Sequence, residues 1–215
     1  MAYQQIIRRE SLSKIFSKIF KGKVIATQKA HWSFLPLWIM ATAIGTSGGG
    51  ITSAFVTDYV RGDFGVFLSF AVMSMAIALM QWLVIRRQIL GMGWLLTTFL
   101  GGSLGGFLSS WASFQLAFTY GDAADFLTIY TCLRGFTTGV VQWTFLRYKF
   151  KRSGWWIVAT TVSWYLSVMI GSLVMAKQHG YLLTLAIGAI YGLLTGVVLM
   201  TLRGQKEIHI NISKI

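Results

Sequence analysis

Acidic side chains are scarce in this sequence: six Asp and Glu stand against 19 Lys and Arg among 215 residues. None of the six lies inside a long apolar run, which counts against a proton-coupled pump, because such pumps rely on intramembrane Asp, Glu or His. Histidine is rarer still. His31, His179 and His209 fall at the edge of an apolar run, in a loop and in the tail, and no pair has metal-ligand spacing. The single cysteine, Cys132, excludes an intrachain disulfide and a cysteine-rich metal site, and its apolar surroundings make it a packing residue. The single proline, Pro36, stands in the first turn of the first apolar run, where a missing N–H costs a helix nothing. The glycine-rich text GTSGGG at 45–50 lacks the lysine of a phosphate-binding loop and lies within an apolar run. With no nucleophile, base or metal set held together, the sequence points away from catalysis and calls for no cofactor or metal.

Apolar residues are abundant. They make up 55% of the chain, only 12% is charged, and the mean hydropathy is +0.63. Six runs reach the length of about 20 residues needed to cross a bilayer: 34–56, 64–85, 94–118, 126–146, 155–175 and 181–202. The expected fold is therefore an all-α integral membrane protein of six transmembrane helices, with residues 31–203 as one membrane domain. No removable signal is expected, since the first run begins only near Phe34. Residues 1–30 differ from the rest. Leu12, Ile15, Phe16, Ile19 and Phe20 recur at helical spacing among Lys14, Lys18, Lys21 and Lys23, as in a basic amphipathic helix drawn to anionic lipid headgroups. A docking helix for a partner protein is the alternative for this segment.

The net charge of +13 reflects topology rather than nucleic-acid binding. Seven of the Lys and Arg precede residue 31, six lie in the loops at 86–87 and 147–152, and three in the tail from Arg203. Only Arg61 and Lys177 fall in the other set of loops, and Arg134 lies inside a span. The positive-inside rule then places both termini, including the tail at 204–215, in the cytoplasm.

One frame occurs three times. Trp38, Thr42, Gly45, Gly49 and Ser53 share their spacing with Trp94, Thr98, Gly101, Gly105 and Ser109, and with Trp156, Thr160, Ser163, Ser167 and Gly171. These offsets trace one helix face, and small residues on it let another helix approach closely. The return helices repeat too: Ser74, Ala78 and Gln81 match Gly135, Gly139 and Gln142, then Gly192, Gly196 and Leu199. Three hairpins, at about 34–85, 94–146 and 155–202, are thus expected to pack their small-residue faces around a pseudo-threefold axis. Tryptophans near span ends (Trp32, Trp38, Trp82, Trp94, Trp143, Trp155) mostly read as interfacial anchors, and the deeper Trp111 and Trp164 as packing residues first and ligand contacts second.

Gln81-Trp82-x-x-x-Arg86 and Gln142-Trp143-x-x-x-Arg147 are each followed by Gly-Trp, at Gly93-Trp94 and Gly154-Trp155. This text resembles small polytopic membrane proteins of bacteria, cyanobacteria among them, that carry the repeat. The resemblance covers most of spans 2 to 5 and fades in span 6. It implies a bacterial inner or thylakoid membrane and carries over no functional residues.

Two roles remain open. One is a non-catalytic accessory protein, a scaffold, assembly factor or subunit of a larger membrane complex or homo-oligomer. The other is a small-solute carrier, channel or substrate-binding subunit with a polar path lined by Thr42, Thr98, Thr160, Gln81, Gln142 and Arg134. The glutamines are expected to tie helices together, or else to form a polar constriction. Arg134, whose counterparts in the other return helices are Met73 and Tyr191, either snorkels outward to Asp122 or Asp125 or binds an anionic ligand in a cavity.

Overall fold

The computed structural model describes residues 33–86, 91–121, 125–175 and 180–203. The expected amphipathic segment at 1–30, the tail at 204–215, Trp32, Asp122 and all three histidines lie outside the described residues. Everything regular within them is helical. The helices are α1 (Phe34–Tyr59), α2 (Gly62–Ile85), α3 (Met92–Tyr120), α4 (Phe126–Leu146), α5 (Trp155–Met175) and α6 (Gly180–Arg203). Two glycines make the turns possible: Gly62 opens α2 at φ 76° and Gly121 ends α3 at φ 59°, where a side chain would strain the backbone. Asp125 caps α4 by accepting a hydrogen bond from the Thr128 N–H at 3.1 Å.

Four of the six helices, α1, α2, α5 and α6, contain stretches long and apolar enough to cross a membrane. The chain is a membrane-embedded helical protein. Its polarity runs inside out. On α3, Leu96, Leu100, Leu104 and Leu108 are exposed, whereas Thr98, Ser103 and Ser109 are buried. On α4, Thr131, Arg134, Thr138 and Gln142 are buried, which lowers the mean hydropathy of that helix. Polar groups are turned inward, where they can find partners that hydrocarbon does not offer.

Each helix packs against its neighbours in the chain, and α6 returns to pack against α1, so the six close a ring. Among the described residues no other pair of helices comes together backbone to backbone. The small-residue faces explain the closeness of these contacts, and they divide the labour by repeat position. In the first helix of a hairpin they meet the helix's own partner. A Cβ on Gly45 would lie 2.8 Å from the Ile77 Cα and one on Gly49 2.9 Å from the Met73 carbonyl oxygen. Gly105 stands in the same relation to the Arg134 carbonyl, at 3.1 Å, Gly101 to Thr138, and Gly171 to Ile187. In the return helix they meet the next hairpin. Gly135 abuts Thr161, Gly139 abuts Ile157, Gly192 abuts Ile39 and Gly196 abuts Trp38. Only the second face, therefore, needs another hairpin. Ser163 and Ser167 are buried on α5, and the Ser167 hydroxyl donates to the Ser163 carbonyl.

Candidate functional site

Trp38, Trp94 and Trp156 begin the three frames, and each projects from the first turns of its helix toward the axis of the ring. Their exposures are 0%, 0% and 1%. The Trp38 and Trp94 rings meet edge to face at 5.7 Å, as do Trp94 and Trp156 at 5.5 Å. Phe34, Ile85, Leu146, Phe150, Leu199 and Leu202 pack with them and fill this end of the ring. The expectation that Trp38 and Trp94 anchor at the lipid interface is thereby corrected. Their indole N–H groups are satisfied inside the protein, so a watery boundary is not required. Trp82, Trp143 and Trp155 lie farther out: Arg86 and Arg147 cover the first two rings at 5.5 and 5.4 Å, and Trp155 is exposed. Trp111, expected to be a buried packing residue, is 56% exposed, and Trp164 is buried as expected.

The glutamines explain how the hairpins lock. Gln81 donates through Nε2 to Thr42 Oγ1 of its own hairpin (3.2 Å) and accepts from Trp94 Nε1 of the next (3.3 Å). Gln142 does the same with Thr98 (2.9 Å) and Trp156 (2.8 Å). Each glutamine uses both ends of its amide, so the two act as ties between helices. Leu199 holds the third position and can do neither. Trp38 Nε1 instead donates to Thr195 Oγ1 at 3.2 Å, and Thr160 has only its own helix to bond, donating to Trp156 and Ile157 carbonyls.

Arg134 lies one layer farther from the tryptophans, 3% exposed. It does not reach Asp125, and Asp122 lies outside the described residues. Asp125 is occupied in capping α4, and the guanidinium turns to the axis, where Nη1 donates to the Tyr130 hydroxyl and Nη2 reaches Met73 Sδ at 3.5 Å. Its carbon sits 4.5 Å from the Trp164 ring centre, 4.9 Å from that of Phe70 and 5.8 Å from that of Tyr130. Such cation–π contacts contribute about 0.5–2 kcal/mol each when desolvated. That is comparable with the roughly 2.5–3.5 kcal/mol cost of an arginine at mid-membrane on the insertion scale.

Beside Arg134 is a cavity of about 20 Å³, lined also by Ser74, Gln81, Thr98, Thr138, Gln142, Trp164 and Tyr191. The polar-path candidates thus divide. Arg134, Gln81, Gln142 and Thr98 line one space, while Thr42 and Thr160 are buried in the helix packing beside it. Three residues of this site carried no individual sign of it in the sequence: Ser74, Tyr130 and Thr138. Met73 and Tyr191 did, because they align with Arg134, and positions equivalent under a threefold axis must converge if they face it. Among the described residues no cluster of His, Cys, Asp or Glu could hold a metal ion. No family model, curated protein or solved structure matches the chain.

Proposed function

We propose that the chain is a six-span scaffold of a bacterial cytoplasmic or thylakoid membrane, an accessory or assembly subunit of a larger membrane complex. The observation that carries this reading is the closed axis. Three tryptophans and the apolar side chains packed on them fill one end of the ring, and the polar space beyond them has room for about one water-sized particle. A conduit for solutes needs a path through that plug; a scaffold needs a rigid core and an apolar outer surface.

All six helices are proposed to span. α3 and α4 have lower hydropathy, but their polar residues face the ring, and α3 and α4 complete the same closed layer as the four strongly apolar helices. The loop charges support cytoplasmic termini, with the basic segment at 1–30 lying on anionic lipid. The text shared with small bacterial polytopic proteins supports the bacterial membrane.

Isolation from native membranes in mild detergent, followed by reconstitution into liposomes, tests the role. A scaffold should come out in a stoichiometric assembly larger than its own 24.0 kDa and pass no solutes. A monomer that supports saturable flux of a small solute would replace this reading with the carrier. Arg134 and its cavity are the observation that favours that alternative.

A further inference from the structure

Among the described residues the interior of the ring holds one full positive charge, Arg134, and no negative one. Among the described residues the carboxylates Asp58, Asp63 and Asp125 are exposed at helix ends, and none lies near the axis. Aromatic faces and the Tyr130 hydroxyl surround part of the Arg134 guanidinium, yet its Nε has no hydrogen-bond partner. Two further buried groups at the same cavity are also unpartnered. Ser74 Oγ, on a residue 2% exposed, makes no bond back to its own helix, and Gly102 opposite leaves it room, since a Cβ there would come within 2.5 Å of it. Trp164 Nε1 lies near the Tyr191 hydroxyl but makes no bond of hydrogen-bonding geometry. The Gln81 and Gln142 side-chain oxygens already accept one hydrogen bond each, from Trp94 and Trp156.

The cavity therefore brings together a cation and two further polar groups that have no partner among the described residues. Leaving three such groups unpaired in a low-dielectric interior is costly, and one acceptor between them would satisfy all three. One water could accept from Arg134 Nε and Trp164 Nε1 and donate to Ser74 Oγ, but it would leave the charge unbalanced. About 20 Å³ favours a single compact particle over a large polyatomic ion. We infer that Arg134, Ser74 and Trp164 form a binding site for a single small halide-like anion, stripped of water, at the centre of the ring. The site is independent of whether the protein is a scaffold or a carrier: it neutralises the core in the first case and marks a resting site for the solute in the second.

The test uses the full chain purified in mild detergent in sodium gluconate, with bromide added at constant ionic strength. Thermal stability of the wild type should rise saturably with bromide and not with gluconate. Ser74→Ala removes one donor and little volume; it should fold and need about tenfold more bromide for half the effect, as expected for a lost hydrogen bond to an ion. Arg134→Gln should lose the response altogether, and crystals grown in bromide should show an anomalous peak in the cavity. A wild type with no saturable bromide effect, a Ser74→Ala variant that responds at wild-type concentration, or cavity density without anomalous signal would each overturn the site in favour of water alone. Because Ser74→Ala and the crystal decide independently, a failure of Arg134→Gln to fold leaves the result clear.

Discussion

Leu199 occupies the position at which Gln81 and Gln142 tie one hairpin to the next, and its effects can be measured. Gln142→Leu copies this natural substitution at the second tie. It should leave the fold intact but strand the Trp156 N–H, lowering stability by about 1–3 kcal/mol in detergent unfolding. The reverse change should help where help is needed. Thr195→Ala removes the one partner that Trp38 Nε1 has among the described residues and should destabilise by a similar amount. Adding Leu199→Gln should recover most of that loss, because an amide there stands where the other two glutamines reach an indole. No recovery in the double variant would show that the third junction is built differently from the first two. At this scale the sequence was partly legible. Polar residues in apolar helices marked themselves, and the glutamines were recognisable as ties. The tryptophans were not, since an indole within the first turns of a span suits either an interface or a core, and only the partner of its N–H decides. The surroundings of Arg134 were not legible for a related reason: apart from Tyr130 on its own helix, the aromatic rings that receive it come from α2 and α5, distant in the chain.

Among helices, small residues set the spacing and their exact face sets the partner. Gly135→Leu would drive a side chain into the backbone of α5 at Thr161 and should abolish a stable monodisperse protein, whereas Leu100→Ile, on an exposed face of α3, should leave the melting temperature unchanged. Equal stability of the two in detergent would remove the reason for calling the small-residue face an interface. The cap on α4 gives a pH-dependent prediction. The hydrogen bonds from the Thr128 side chain, first, and its backbone N–H hold the exposed Asp125 carboxyl below the usual aspartate value. A lowered folded-state value means that the cap's contribution is complete above the ordinary value and fades as pH falls through the lowered one. The stability difference between wild type and Asp125→Ala should thus be constant near neutrality and shrink below about pH 4 in thermal unfolding at stepped pH. A difference that grows on acidification would contradict the cap. Helix positions were the most legible level, because apolar runs of span length leave little choice; the observed ends differ from the expected ones by three residues or fewer. The repeat register was harder. Aligning Trp155 with Trp94 through their preceding glycines is one residue out of step, and burial shows that Trp156 is the true counterpart, the extra residue lying in the turn at 147–154.

Across the whole molecule, the orientation and the closure of the ring are separable claims. Reporter fusions at Asp58, Asp122 and Lys177 should be external and those at Arg87, Lys149 and Lys206 internal; an internal Asp122 would overturn the six-span topology. Closure could not be read from any single helix. A triplicated sequence allows three hairpins to form a row as readily as a ring, and the difference is whether α6 reaches α1. The side chains that meet there include Arg203, whose guanidinium covers the Phe34 ring at 4.8 Å, and Thr184, whose Cβ lies 3.6 Å from where a Gly50 Cβ would stand. That second distance falls in the range a disulfide bridges. The most direct measurement is oxidation of Gly50→Cys/Thr184→Cys in membranes, with Cys132 replaced by alanine and the two single-cysteine variants as controls. A closed ring predicts rapid intramolecular cross-linking of the pair and of neither single variant, seen as a mobility shift that reductant reverses. No intramolecular cross-link in a folded, monodisperse double variant would mean that α1 and α6 stand apart, and the tryptophan-plugged axis would fall with them.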